Sequence, residues 1–207
     1  MPMKIVQIAG YLGSGKTTLI IALSRVISGQ GAKVAVLVND VGAVPVDGAV
    51  MQEYGLTVKD IGGGCICCQV SGSLLRTLEG LASEIRPDLV IIEPTGIAVP
   101  GSISETVRLA ARKHPVEIGH TIVLFDTSRA AKLLTYDSLK HLVATQVKDA
   151  TIIALSKCDL VAEPQIEGAS RAMREINAAA EIMRLSVVSG DGISGLADRI
   201  GSAVLSA

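Results

Sequence analysis

The run Gly10-Tyr11-Leu12-Gly13-Ser14-Gly15-Lys16-Thr17-Thr18 carries the glycine, lysine and hydroxyl spacing of a loop that wraps phosphates. Glycines let the backbone turn its N–H groups inward, and a helix opening at Lys16 adds partial positive charge. Lys16 then reaches the β and γ phosphates while the Thr17 hydroxyl binds Mg²⁺. Gly13, Ser14, Gly15, Lys16, Thr17 and Thr18 are therefore the expected nucleotide contacts. The plainer alternative is a glycine-rich turn between a strand and a helix. The apolar strand Ile5-Val6-Gln7-Ile8-Ala9 before it and Leu19-Ile20 after it supply the context the phosphate reading needs.

Magnesium bridging two phosphates takes further oxygen ligands, usually from a carboxylate at the end of a buried strand. Leu89-Val90-Ile91-Ile92-Glu93 ends on such a carboxylate, and Gly96 follows in Pro94-Thr95-Gly96, placed to offer a backbone N–H to the γ phosphate. Glu93 has a second reading as a capping or turn carboxylate. Asp40 follows Val34-Ala35-Val36-Leu37-Val38-Asn39 and stands between two roles, a contact to Mg²⁺ or its water and a simple turn residue. Lys16, Asp40, Glu93 and Gly96 make up the expected catalytic set.

A further apolar strand, Thr151-Ile152-Ile153-Ala154-Leu155-Ser156, delivers Lys157-Cys158-Asp159. Guanine offers paired donors, N1–H and N2–H₂, which one carboxylate accepts together; adenine would leave that carboxylate unpaired. Asp159 thus argues for GTP, with the Lys157 stem lying along the base. Cys158 reads as a small buried neighbour and not a ligand.

Gly62-Gly63-Gly64-Cys65-Ile66-Cys67-Cys68 sets three thiols on a permissive backbone. Thiolates at this density suit Zn²⁺, Cu(I) or a related metal, and three ligands leave a position open for handing the metal on. A redox-sensing pair and plain packing are the other readings. The three cysteines are too close together for local disulfides.

The elements that must hold these groups follow from the apolar rhythm. Val- and Ile-rich runs predict strands near 4–9, 33–38, 88–92, 120–125, 151–156 and 183–188, with a weaker one at 56–59. Helical periodicity fills about 16–28, 71–85, 102–113, 129–147, 165–178 and 194–205. Such alternation predicts an α/β fold of three layers, doubly wound, with a mostly parallel sheet. A hydrophobic fraction of 49% with one Phe and no Trp requires an aliphatic core and excludes disorder. We expect a single domain over 1–207, since no linker composition interrupts it. A net charge of -1 gives no basic footprint for nucleic acid or an anionic membrane. The start reads as neither a signal peptide nor a membrane span, which places the chain in the cytoplasm.

In this order and combination the motifs resemble those of the CobW-type GTPases, metal-transfer proteins related to UreG and HypB. The similarity rests on the phosphate loop, on Val38-Asn39-Asp40-Val41-Gly42 with Asp47, on Gly63-Gly64-Cys65-Ile66-Cys67-Cys68, on Ile92-Glu93-Pro94-Thr95-Gly96-Ile97-Ala98-Val99-Pro100 and on Ser156-Lys157-Cys158-Asp159. It implies a P-loop fold and slow GTP hydrolysis. It also implies GTP/GDP and Mg²⁺ as cofactors, and Cys65, Cys67 and Cys68 as a site for Zn²⁺, Co²⁺ or Ni²⁺. The implied partner is a client metalloprotein or metallocofactor enzyme. Three departures stand out. Ala43 replaces the second acid of the usual Asn-Glu-Phe-Gly-Glu. Ser156 replaces Asn or Thr ahead of Lys-x-Asp and is expected to tie the base to the phosphate loop less firmly. Third, residues 182–206 are expected to close the domain without the C-terminal domain of larger members.

Together these readings predict a switch in which GTP orders 39–68 and hydrolysis releases the metal. Two rivals are a nucleotide-gated regulator of a partner such as a corrinoid enzyme, without metal transfer, and a P-loop small-molecule kinase. A kinase would need lid arginines, whereas Arg76, Arg108 and Arg112 read as solvated helix charges. Pooled thiolates across a twofold axis would make a homodimer.

Overall fold

Alternation of side chains along each strand decides which layer every core residue joins. The computed structural model describes residues 2–38, 57–60 and 71–205. Among these, seven strands form one sheet: β1 (Met3–Gly10), β2 (Val34–Val38), β3 (Thr57–Asp60), β4 (Leu89–Glu93), β5 (Val116–Asp126), β6 (Ile152–Ser156) and β7 (Glu181–Arg184). Their order is β3-β2-β4-β1-β5-β6-β7, and every pairing is parallel. The expected doubly wound α/β architecture is therefore present.

Helices cover both faces, as a parallel sheet of Val, Ile and Leu requires. On one face α1 (Lys16–Gly29) and α7 (Ile193–Leu205) bury Leu19, Leu23, Ile27, Leu196 and Ile200 against Val6, Ile8, Val36, Ile91 and Leu124. On the other face the neighbouring strand positions turn the opposite way. There Ile5, Leu37, Val90 and Ile92 meet α2 (Ser71–Gly80) and α3 (Pro100–Ala111). Val123, Phe125, Ile153 and Leu155 complete that face against α5 (Asp137–Val147) and α6 (Glu163–Ile176).

Four boundaries differ from expectation. The helix expected over 71–85 changes at Leu81 to a wider π turn through Ile85, closed by Arg86 in a left-handed conformation at φ 50. The helix expected over 129–147 is broken. A 3-10 turn (Thr127–Arg129) precedes α4 (Ala130–Thr135), and Tyr136, extended at φ -81 and ψ 121, separates it from α5. Neither glycine nor proline marks that break; the corner lets Leu133 and Val143 both face the core. β5 begins at Val116, four residues before the expected start, because Val116, Glu117 and Ile118 pair with Met3, Lys4 and Ile5 before a register shift. β7 ends at Arg184, short of 188, where the chain turns so that the Ser186 N–H donates to Asp191 O.

The sheet order also locates the site. β1 lies between β4 and β5, with β2 and β3 beyond one and β6 and β7 beyond the other. Ligands of such sheets sit outside the carboxyl ends of the strands where the winding changes direction. Gly10, Glu93, Asp126 and Ser156 all terminate strands at that edge.

Candidate nucleotide site

The chain leaves β1 at Gly10 with φ 141, and a Cβ there would fall 2.5 Å from Leu124 O, so glycine is required at this turn. The Ser14 N–H donates to Tyr11 O at 3.1 Å, Gly15 adopts φ 96, and α1 starts at Lys16. The free N–H groups and dipole of α1 therefore face the loop, the arrangement that holds phosphate. Ser14 is buried, and its Oγ has no hydrogen-bond partner. Thr18 lies on the exposed side of the first helical turn.

Glu93 is buried against this loop. The Thr17 hydroxyl donates to its two carboxylate oxygens at 2.9 and 3.0 Å, and Lys16 Nζ stands 4.0 Å from Oε1. The structure thus brings Glu93 against Lys16 and Thr17, the latter 76 residues earlier in the chain. A hydroxyl and a carboxylate side by side at a helix N-terminus form a hard-oxygen donor set that fits Mg²⁺. A Cβ on Gly96 would lie 2.8 Å from Leu12 N, so the turn after β4 approaches the phosphate loop backbone as closely as glycine allows. The buried Gln146 of α5 holds that turn, its amide donating to Gly96 O and Ala98 O at 3.1 Å each.

On the other side of β1 the strand ends converge on the same loop. Ser156 Oγ donates to Ser14 O at 2.9 Å and to Phe125 O at 3.3 Å. The shorter side chain therefore does tie β6 to the loop. Lys157, left-handed at φ 59, donates from Nζ to Gly13 O at 2.9 Å and to Asp126 Oδ2 at 2.8 Å. Asp159 is exposed on the 3-10 turn that follows; Cys158, expected to be buried, is half-buried, its Sγ donating to Leu155 O at 3.1 Å.

The nucleotide-binding domain of the CobW/HypB/UreG proteins matches residues 4–184. The chain belongs to this family. A zinc-regulated GTPase metalloprotein activator 1 from Dictyostelium discoideum is 31% identical, over 86% of this chain and 44% of its own length. The zinc chaperone YjiA of Escherichia coli is 31% identical over 92% of this chain and 59% of its own. The Zn(II)-bound structure of YjiA aligns with a TM-score of 0.64 and 26% identity, covering 88% of this chain and 57% of that one. The hydrogenase maturation factor HypB from Archaeoglobus fulgidus shares the fold, with a TM-score of 0.72, 21% identity and coverage of 98% and 90%. The chain spans about half the length of the curated relatives it matches.

Within this CobW-type domain two residues at the loop escaped the sequence reading. Asp126, its side chain fully buried, accepts from Ser128 N and Oγ on Oδ1, and from Lys157 and Arg129 on Oδ2. Burial pushes its carboxyl up, but hydrogen bonds from Lys157, Ser128 and Arg129 outweigh that and hold it below the usual carboxylate range. Arg129 also donates from Nη2 to Leu12 O at 2.7 Å and lies 5.7 Å from the centre of the Tyr11 ring. The available signal was Asp-Thr-Ser-Arg closing an apolar strand, a pattern that also fits an ordinary cap. Arg76 and Arg108 are exposed on helices, as expected, and Arg112 is exposed just after the end of α3.

Asp40 and Cys65, Cys67 and Cys68 lie outside the described residues. Among the described residues no group of three His, Cys, Asp or Glu is placed to hold a metal. No described helix is long and apolar enough to cross a membrane.

Proposed function

We propose that this chain is the GTP-hydrolysing domain of a metallochaperone of the zinc-handling kind. It takes a transition metal on Cys65, Cys67 and Cys68 and passes it to a client metalloprotein or metallocofactor enzyme. The reading rests first on one observation: Ser156 and Lys157 hold the carbonyls of Ser14 and Gly13. The segment that reads the base and the loop that takes the phosphates are thereby a single hydrogen-bonded unit. Similarity to zinc chaperones and to a zinc-regulated GTPase activator supports the choice of cargo.

In this account the phosphates of GTP lie on the N–H groups of the loop and the N-terminus of α1. Lys16 swings from Glu93 to the β and γ oxygens, a short move for a long flexible chain. Asp159 accepts the N1–H and N2–H₂ of guanine, and the Lys157 stem covers the ring. Thr17 and Glu93 would hold Mg²⁺, which when bound neutralises charge on the β and γ phosphates. Asp40 would contact Mg²⁺ or its water, and the Gly96 N–H would meet the γ phosphate. The Gln146 amide nitrogen is committed to two carbonyls; slow hydrolysis without a partner is the expectation that the family resemblance carries.

Coupling to the thiols follows from the sheet. Val38, the last residue of β2, pairs with Glu93 on one side and with Asp60, the last residue of β3, on the other. Val38 thereby stands between the strand end that carries Glu93 and the strand end that precedes the cysteines in the chain, and through it the γ phosphate would alter metal affinity at the thiols.

Equilibrium binding and turnover with Mg²⁺ test the GTPase reading. GTP should bind in preference to ATP and turn over on the order of 10⁻³ s⁻¹. A preference for ATP, or turnover at the ~1–100 s⁻¹ of kinases, would contradict it.

A further inference from the structure

Three consecutive carbonyls of the phosphate loop are each held by a different side chain. Arg129 Nη2 donates to Leu12 O at 2.7 Å, Lys157 Nζ to Gly13 O at 2.9 Å and Ser156 Oγ to Ser14 O at 2.9 Å. In a planar trans peptide the C=O and the following N–H point in opposite directions. Fixing these carbonyls therefore aims the N–H groups of Gly13, Ser14 and Gly15 away from the anchoring side chains. The Ser14 N–H is occupied by Tyr11 O. Gly13 and Gly15 are left to face the phosphates.

Lys157 and Ser156 belong to the segment that reads the base. Arg129 does not: it comes from the turn after β5, and no part of a nucleotide calls for it there. It is nonetheless held on three sides. Nε donates to Asp126 Oδ2 at 2.7 Å, the Tyr11 ring lies beneath the guanidinium, and Nη2 reaches Leu12 O. A guanidinium can do this because its donors form a rigid fork; an ammonium has one nitrogen for both partners. Asp126 holds Lys157 through the same oxygen, so one carboxylate anchors two of the three struts.

We infer that Arg129 is a positioning residue for the phosphate loop. Bolted to Asp126, it fixes the peptide group between Leu12 and Gly13 and so sets how the Gly13 N–H meets the phosphates of a nucleotide. This rests on the nucleotide reading of the loop given above. Arg129 acts from the carbonyl side of the loop, through the backbone and not by touching phosphate.

The test uses the full chain, with Arg129→Met, which keeps an unbranched stem without the fork, and Arg129→Lys, which keeps the charge. GDP affinity is measured by calorimetry, and the phosphorus NMR spectrum is recorded at saturating GDP. Loss of one charge-assisted hydrogen bond predicts GDP binding weakened about tenfold in Arg129→Met. The β-phosphate resonance should move even at saturation, and Arg129→Lys should restore it in part. A variant that merely weakened the fold would lower its melting temperature and leave that resonance in place. An unchanged β-phosphate resonance in Arg129→Met therefore overturns the inference while leaving the nucleotide reading intact. Should Arg129→Met not fold, an Arg129→Lys spectrum identical to wild type overturns it equally. Failure of the wild-type chain to bind GDP would instead refute the parent reading, and this inference with it.

Discussion

Asp126 shows how much one buried carboxylate can organise when its oxygens divide the work. Oδ1 caps the turn after β5 through Ser128, and Oδ2 takes both Lys157 and Arg129. Those two cations are each about one-third exposed, so solvent screens part of the attraction. Removing the negative charge is expected to cost about 1–3 kcal/mol, less than for a fully enclosed pair. The pH dependence has a definite sign. The folded chain holds this carboxyl below its ordinary 3.8. Its contribution to stability is thus complete above the unfolded value and is lost as pH falls through the folded one. Chemical denaturation of wild type and Asp126→Asn should show a constant gap from neutral pH to about 5, narrowing below about 4. A gap that instead widened toward acid would mean that the carboxyl is protonated in the native state.

Elements matter through what their ends carry. Helix α5 lies over the sheet with its apolar face, yet Gln146 points its amide at the turn after β4. Gln146→Ala would leave two buried carbonyls without that donor, a loss of about 1–3 kcal/mol. It should also slacken the approach of Gly96 to Leu12. Thermal unfolding together with GTP affinity checks this; a variant as stable and as tight as wild type would show that the turn stands without α5. These contacts mark the limit of what was legible in the sequence. The loop 10–18, the strand-end Glu93 and the Ser156-Lys157-Cys158-Asp159 segment declare themselves by local spacing, and the structure sets the loop against Glu93, Ser156 and Lys157. Gln146 and Asp126 act across 50 and 31 residues, and their partners depend on β1 lying between β4 and β5. Strand periodicity cannot supply that order. The break at Tyr136 was hidden for a different reason: apolar spacing runs on through it, and the corner is set by packing of Leu133 and Val143.

At the scale of the whole molecule, the carboxyl ends of the strands gather the phosphate loop, Glu93, Ser156 and Lys157, and β3 ends at Asp60, just ahead of the cysteine segment in the chain. The doubly wound fold was plain from alternating apolar runs, because a parallel sheet buried on both faces admits few other residue types. Cargo chemistry was plain only as three thiols on a glycine-rich stretch. The proposed coupling of that cargo to nucleotide rests on the pairing of Val38 with both Glu93 and Asp60. The most direct measurement is anaerobic titration of Zn²⁺ and Co²⁺ into the reduced chain, once with GDP and once with a non-hydrolysable GTP analogue, with Cys67→Ser alongside. The account predicts metal affinity that differs between the two nucleotides by about tenfold or more, as a coupling energy of 1–3 kcal/mol requires, and is lost in Cys67→Ser. Equal affinity with either nucleotide, or uptake indifferent to Cys67, would contradict a nucleotide-coupled metal carrier and leave a GTPase that acts on its partner by shape alone.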